Sequence, residues 1–125
     1  MTEKMPFVAS SNGIWFTEED DQSLRFGYRL KDILHQEQSE WQNVQVVETE
    51  AYGRMMILDG FVMVTEADEF VYHEMISHIP TALHRDPKRV LVIGGGDGGT
   101  VREFVKHPGI EKIVLCEIDA AVVDA

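Results

Sequence analysis

The residues best placed to do chemistry are Gly94-Gly95-Gly96-Asp97-Gly98-Gly99 and Glu117. Gly94, Gly96 and Gly99 satisfy G-x-G-x-x-G, and Glu117 lies about 20 residues further on, where a carboxylate can accept both hydroxyls of a ribose. The pattern predicts a nucleoside-containing ligand. Asp97 narrows the choice. In a dinucleotide site the pyrophosphate lies against the backbone N–H groups of such a loop, and a carboxylate there sets like charges side by side, at ~1 kcal/mol in water and more when desolvated. The same carboxylate favours a ligand that carries an ammonium or sulfonium beside its adenosine, as S-adenosylmethionine and its decarboxylated form do.

A second group, Tyr72-His73-Glu74, stands just upstream, close enough in sequence to reach the same cleft. His73-Glu74-Met75-Ile76-Ser77-His78 is one residue too long for a zinc-protease signature, and its two histidines fall about 140° apart around a helix. No metal site is expected. His35, His84 and His107 lack ligand spacing and read as surface or loop residues, and Cys116 reads as a small core residue of an apolar strand. No G-x-S-x-G or Walker sequence occurs, and the two tryptophans and six methionines read as core and interface filling.

The elements that must position these groups follow from hydrophobic period. Arg89 to Ile93 is an almost wholly apolar run of the kind buried on both faces of a parallel sheet. The glycine loop follows it, then a short helical stripe of Val101, Phe104 and Val105, then a second apolar strand, Ile113 to Cys116, closed by Glu117-Ile118-Asp119. The order strand, loop, helix, strand is a right-handed βαβ unit. Upstream, Thr65-Glu66-Ala67-Asp68 predicts a helix start with Thr65 as N-cap, an apolar stripe of Val71, Met75 and Ile79, and a kink or end at Pro80.

Before Thr65 the period is two. Leu24, Phe26, Tyr28 and Leu30 alternate with polar residues, Val44 and Val46 follow, and Asp59-Gly60 between two apolar runs is a strong hairpin signal. Glu18 to Asp21 reads as a solvated loop. The fold class is therefore α/β: an antiparallel β-meander domain over 1–64, then over 65–125 a linking helix and the first βαβ unit of a Rossmann-like, class I methyltransferase-type parallel sheet. Two parallel strands leave an uncovered face and open edges, so the chain should be poorly stable until something completes the sheet.

Composition removes whole classes of function. Of 125 residues 44% are apolar, enough for a folded core, and 22 acidic against 11 basic residues give a net charge of −11, which repels a nucleic-acid backbone. Such a surplus concentrates cations and suits a cationic second substrate. No apolar run approaches the ~20 residues of a membrane span, and Met1 to Pro6 lacks the basic start of a secretory signal. One cysteine excludes an internal disulfide and is compatible with a reducing compartment, so the expected setting is the cytoplasm.

Taken together, Leu58-Asp59-Gly60, Thr65-Glu66-Ala67-Asp68-Glu69-Phe70-Val71-Tyr72-His73-Glu74-Met75, the glycine loop and Glu117-Ile118-Asp119 closely resemble the spermidine synthases, the polyamine aminopropyltransferases. The resemblance runs from Trp15-Phe16-Thr17-Glu18 through Ser39-Glu40-Trp41-Gln42-Asn43-Val44 to the end of the chain. It implies transfer of an aminopropyl group from decarboxylated S-adenosylmethionine, a co-substrate, to putrescine, giving spermidine and methylthioadenosine with no separate cofactor. It further implies an oligomer-building β domain and a homodimer or homotetramer. By resemblance, Gln42 contacts the nucleoside, Asp97 grips the amine of the aminopropyl group, Glu117 holds the ribose, Tyr72 and His73 line the cleft, and Asp119 is a secondary acid near the nucleoside.

Two positions depart from the common family pattern: Met63 stands where many members have glutamine, and Ala67 where many have a basic residue, which bears on acceptor preference. The family's catalytic acid loop is expected beyond Ala125, so the sites expected within the chain are for binding. Two other readings stand beside this one: an S-adenosylmethionine-dependent methyltransferase, and a non-catalytic oligomerisation module of the same family.

Overall fold

The computed structural model describes residues 7–20 and 23–125, so Met1 to Pro6, Asp21 and Gln22 lie outside the described residues. The chain forms two compact units, one up to Ala67 and one over Asp68–Asp124.

In the first unit, six strands, β1 (Phe7–Ser10), β2 (Gly13–Asp20), β3 (Leu24–Gln38), β4 (Asn43–Thr49), β5 (Gly53–Leu58) and β6 (Phe61–Thr65), form one sheet in chain order. Every neighbouring pair is antiparallel. The β5–β6 turn is the Asp59-Gly60 hairpin expected from sequence, with φ of 50° and 86°, the two left-handed residues of a type I′ turn. Asp59 also ties the turn to β4: its Oδ1 accepts from Asn43 N–H at 2.8 Å, and its own N–H donates to Asn43 O at 2.9 Å.

Register shifts near Leu30/Asp32 and Ile33/His35 bend the long strand β3, as bulges do. The sheet curls enough for Glu18 of β2 to accept the Val62 N–H of β6 at 3.1 Å. Inside the curl Phe16, Leu30, Val47, Met55 and Ile57 form the core, with Phe7, Tyr28 and Val62 against it. Glu18 and Glu19 do not lie in a solvated loop. Both are strand residues, paired across β2–β3 with Phe26 and Arg25, and Arg25 Nη2 reaches Glu19 Oε1 at 2.5 Å, so cross-strand partners offset the charge.

The second unit contains α1 (Glu69–Leu83), β7 (Arg89–Ile93), α2 (Gly99–Phe104), β8 (Lys112–Cys116) and α3 (Ala120–Asp124). β7 and β8 pair in parallel, Val90 beside Ile113 and Ile93 beside Cys116, which is the expected βαβ unit. The helix start differs from expectation. Thr65 is still strand, paired with Met55, and Glu66 N–H donates to Arg54 O at 2.9 Å, so α1 begins after Asp68. Pro80 neither ends the helix nor stops its last turn: α1 runs to Leu83, and His84 N–H closes on Pro80 O at 3.0 Å.

Burial also departs from the pattern read in sequence. The covered face of α1 carries His73 and Ser77, one turn apart, with Ser77 Oγ donating to Thr100 O of α2 at 3.3 Å. The stripe Val71, Met75 and Ile79 is exposed. β7 is buried on one face only: Val92 is covered, whereas Leu91 and Ile93 are 62% and 83% exposed. Cys116 is exposed as well, not a core residue. A two-stranded sheet cannot cover alternate residues on both faces, which is the expected open face. No helix among the described residues is long and apolar enough to cross a membrane.

Candidate functional site

The turn between β7 and α2 is built by glycine because its backbone needs it. Gly94, Gly95 and Gly98 have φ of 76°, 73° and 77°, a region most side chains avoid. Gly96 and Gly99 serve close approach instead. A Cβ on Gly96 would come within 3.0 Å of both Glu117 Cγ and Val122 Cγ1, and one on Gly99 would stand inside the His73 ring.

Four of the six amides in this loop are committed internally. Gly94 N–H donates to Cys116 O at 2.9 Å, Gly96 N–H to Glu117 Oε2 at 3.0 Å, Gly98 N–H to Gly95 O at 3.0 Å, and Gly99 N–H to Asp97 Oδ1 at 2.6 Å. Two of the four acceptors are carboxylates, at the place where a phosphate cradle keeps its N–H groups for the ligand. The loop is electronegative where a dinucleotide loop is electropositive. Glu117 is further fixed by the N–H groups of Ile118 at 2.8 Å and Asp119 at 3.1 Å, both on Oε1. A carboxylate offers about four lone-pair sites, and with three taken one remains on Oε2 for a ribose hydroxyl, not the two expected from sequence. Asp119 is buried, and its Oδ1 accepts from Ala121 N–H at 3.1 Å at the start of α3.

His73 is 2% exposed and has a carboxylate at each ring nitrogen. Nδ1 lies 2.5 Å from Glu69 Oε2, and Nε2 lies 3.3 Å from Asp97 Oδ1 with no hydrogen bond made. Glu69 Oε2 also accepts from Arg102 Nη2 at 2.7 Å. The Arg102 guanidinium holds the Glu69 carboxyl below the ordinary carboxylate range against an opposing effect of burial, with His73 adding in the same direction. The Tyr72 ring stands edge-on to His73 with centroids 5.3 Å apart and is itself exposed.

Behind this pair, buried Glu103 accepts from Arg102 Nε at 2.9 Å and from Lys106 Nζ, and His78 Nε2 lies 3.2 Å from it. Lys106 first, and Arg102 next, lower the Glu103 pKa to about 2. His78 Nδ1 meets His107 Nε2 at 2.8 Å, so His107, a loop residue after α2 as read from sequence, packs against a neighbour.

Of the expected site residues, the second unit gathers Gly94, Gly96, Gly99, Asp97 and His73 about one loop, with Glu117 bonded to it and Tyr72 beside His73. Gln42 and Met63 belong to the first unit. Gln42 sits in the β3–β4 turn, its backbone held by Ser39 Oγ at 3.1 Å, and Met63 is exposed on β6. Glu69 and Arg102 escaped the sequence reading. Glu69 was legible in principle, one helical turn before His73. Arg102, 33 residues from Glu69, carried no local signal. Among the described residues, no three His, Cys, Asp or Glu side chains group as a metal-ligand set.

Comparison with known proteins finds relatives for both units. Residues 14–66 match the spermidine synthase tetramerisation domain, and residues 69–125 the spermine/spermidine synthase domain. A polyamine aminopropyltransferase of Moorella thermoacetica is 56% identical over 111 residues, covering 89% of this chain and 39% of the relative. One from Thermoanaerobacter sp. (strain X514) is 52% identical over 110 residues, covering 88% of this chain and 40% of the relative. A crystal structure of spermidine synthase in complex with the transition-state analogue AdoDATO superposes with a TM-score of 0.86 at 43% identity, over 89% of this chain and 38% of that one. The chain thus spans about 40% of the length of the curated relatives it matches.

Proposed function

Because the chain belongs to the spermine/spermidine synthase family, we propose that it serves polyamine biosynthesis, in the transfer of an aminopropyl group from decarboxylated S-adenosylmethionine to putrescine. The observation that carries this reading is Asp97, a carboxylate inside the glycine loop, bonded to Gly99 N–H and facing buried His73. A loop whose own acids occupy its amides suits a cationic adenosyl ligand and not a pyrophosphate.

In this reaction the amine nitrogen of putrescine attacks the aminopropyl carbon bonded to sulfur. The C–S bond breaks with its electron pair going to sulfur, and the products are spermidine, methylthioadenosine and a proton. Departure of the sulfonium neutralises its charge, so the protein's main tasks are alignment of the amine and removal of its proton. Asp97 anchors the terminal ammonium of the aminopropyl group, and Tyr72 and His73 line its path. Glu117 holds the ribose, Gln42 contacts the nucleoside with Asp119 as a further acid nearby, and Met63 bears on the choice of acceptor.

The decarboxylated S-adenosylmethionine is a co-substrate, and the reaction calls for no separate cofactor. The match of residues 14–66 to a tetramerisation domain supports a homo-oligomer, built as a dimer or tetramer through the β unit. The cytoplasm is the proposed setting, in keeping with small polar substrates. The methyltransferase reading is not favoured, since the relatives are aminopropyltransferases.

Calorimetric titration tests the proposal. Methylthioadenosine is expected to bind, NAD is not, and Glu117→Gln should weaken methylthioadenosine by about tenfold, the worth of a charge-assisted hydrogen bond. Binding of NAD in preference to methylthioadenosine would overturn it.

A further inference from the structure

The geometry points to Glu69, seconded by Arg102, as a positioning residue that fixes the tautomer of His73 and so turns a bare Nε2 lone pair toward the Asp97 carboxylate. The inference rests on the function proposed above only for the identity of the ligand; the tautomer itself is independent of it.

Arg102 donates to Glu69 Oε2, and with that cation beside it the Glu69 carboxylate is ionised and accepts only. His73 Nδ1, 2.5 Å from the same oxygen, must then be the N–H donor. In a neutral ring that proton is the single N–H, and Nε2 carries the lone pair.

Nε2 is buried with no hydrogen-bond partner and lies 3.3 Å from Asp97 Oδ1, which already accepts from Gly99 N–H. Two acceptors facing each other repel, and an unpaired buried nitrogen costs free energy, so the arrangement is relieved by a donor that reaches both. An alkylammonium has three N–H groups and a positive charge, and it fits. The opposite tautomer would spend its Nε2–H on Asp97, and an imidazolium would repel the ammonium. The charged groups facing His73 among the described residues are Glu69 from its own helix and Asp97 from the loop, with Arg102 of α2 acting through Glu69.

Histidine side-chain ¹⁵N NMR on the chain, with His73 assigned by the signals lost in His73→Gln, reads the tautomer directly. The expected result is the Nδ1–H form in the wild type at neutral pH, a mixed population in Glu69→Gln, whose amide can donate as well as accept, and recovery of the Nδ1–H form in Glu69→Asp. An Nε2–H or imidazolium wild type, or an unchanged pattern in Glu69→Gln, would overturn the inference. Calorimetry supplies the second readout. Glu69→Gln should weaken decarboxylated S-adenosylmethionine about tenfold while leaving methylthioadenosine, which has no ammonium, within about twofold. An equal loss for both ligands would mark Glu69 as merely structural and contradict the inference, whereas a wild type that binds neither ligand would instead contradict the proposed function.

Discussion

The two units of this chain balance apolar and polar burial differently. In the β unit the buried core is Phe16, Leu30, Val47, Met55 and Ile57, an apolar set that fills the curl of one sheet. Beside it the β unit buries Gln45, Thr49 and Thr65, whereas the α/β unit buries His73, Ser77, Thr100, Glu103 and Asp119 with the smaller apolar group Val92, Phe104, Ala121 and Val122, and leaves Leu91, Ile93, Val71 and Met75 facing solvent. Apolar packing needs shape and tolerates exchange, whereas buried polar groups must each find a partner. The first unit is thus held chiefly by apolar filling, and the second also by polar groups that bond one another, with apolar side chains facing solvent.

Four perturbations sharpen or break that contrast. The largest effect is expected from Phe16→Ala, which empties the centre of the β core and should cost about 3–5 kcal/mol, read by hydrogen exchange at the β4 and β5 amides. A loss below about 1 kcal/mol would mean that the curl is held by something other than its apolar filling. Next comes Gly99→Ala, where the new Cβ would occupy the place of the His73 ring. Overpacking of this kind costs about 1–3 kcal/mol, and exchange should quicken in α1 and α2 while β2 to β5 keep their protection. Equal loss of protection in both units would erase the distinction drawn between them.

The third perturbation is acid. Glu103 has a folded-state pKa of about 2 against an ordinary 4.5, so its contribution is present above pH 4.5 and is lost as the pH falls through about 2. A pH titration of the second unit should show an acid limb in that window, and Glu103→Gln should shrink it to the part that Glu69, whose carboxyl is also held below its ordinary range, contributes. The smallest effect belongs to Gly60→Ala. Its φ is 86°, and a Cβ there meets nothing within 4 Å, so only the conformational cost of about 1 kcal/mol applies in a denaturant melt. If Gly60→Ala proved as costly as Gly99→Ala, steric exclusion by His73 would not be what makes Gly99 necessary.

The sequence was legible wherever a local rule governs. The Asp59-Gly60 turn, the strand, glycine loop, helix, strand order and the place of Glu117 all follow from spacing along the chain. It was misleading where a long-range partner overrides local propensity. Thr65 has the look of a helix cap, yet pairing with Met55 keeps it in a strand. Val71, Met75 and Ile79 form a convincing core stripe, yet α2 packs against the His73 and Ser77 face. Glu18 and Glu19 read as loop acids because their partners, Val62 and Arg25, come from other strands. Arg102 shows the same lesson at the site, since its bond to Glu69 joins two helices.

The central claim is that the Asp97 carboxylate makes this loop prefer a positively charged adenosyl ligand. Calorimetric titration of the wild type and Asp97→Asn with decarboxylated S-adenosylmethionine and with methylthioadenosine tests it most directly. The wild type should bind the cationic ligand more tightly, and Asp97→Asn should cut that preference by about tenfold or more with methylthioadenosine little changed. A preference that survives the substitution intact, or that favours the neutral ligand from the start, would contradict the account.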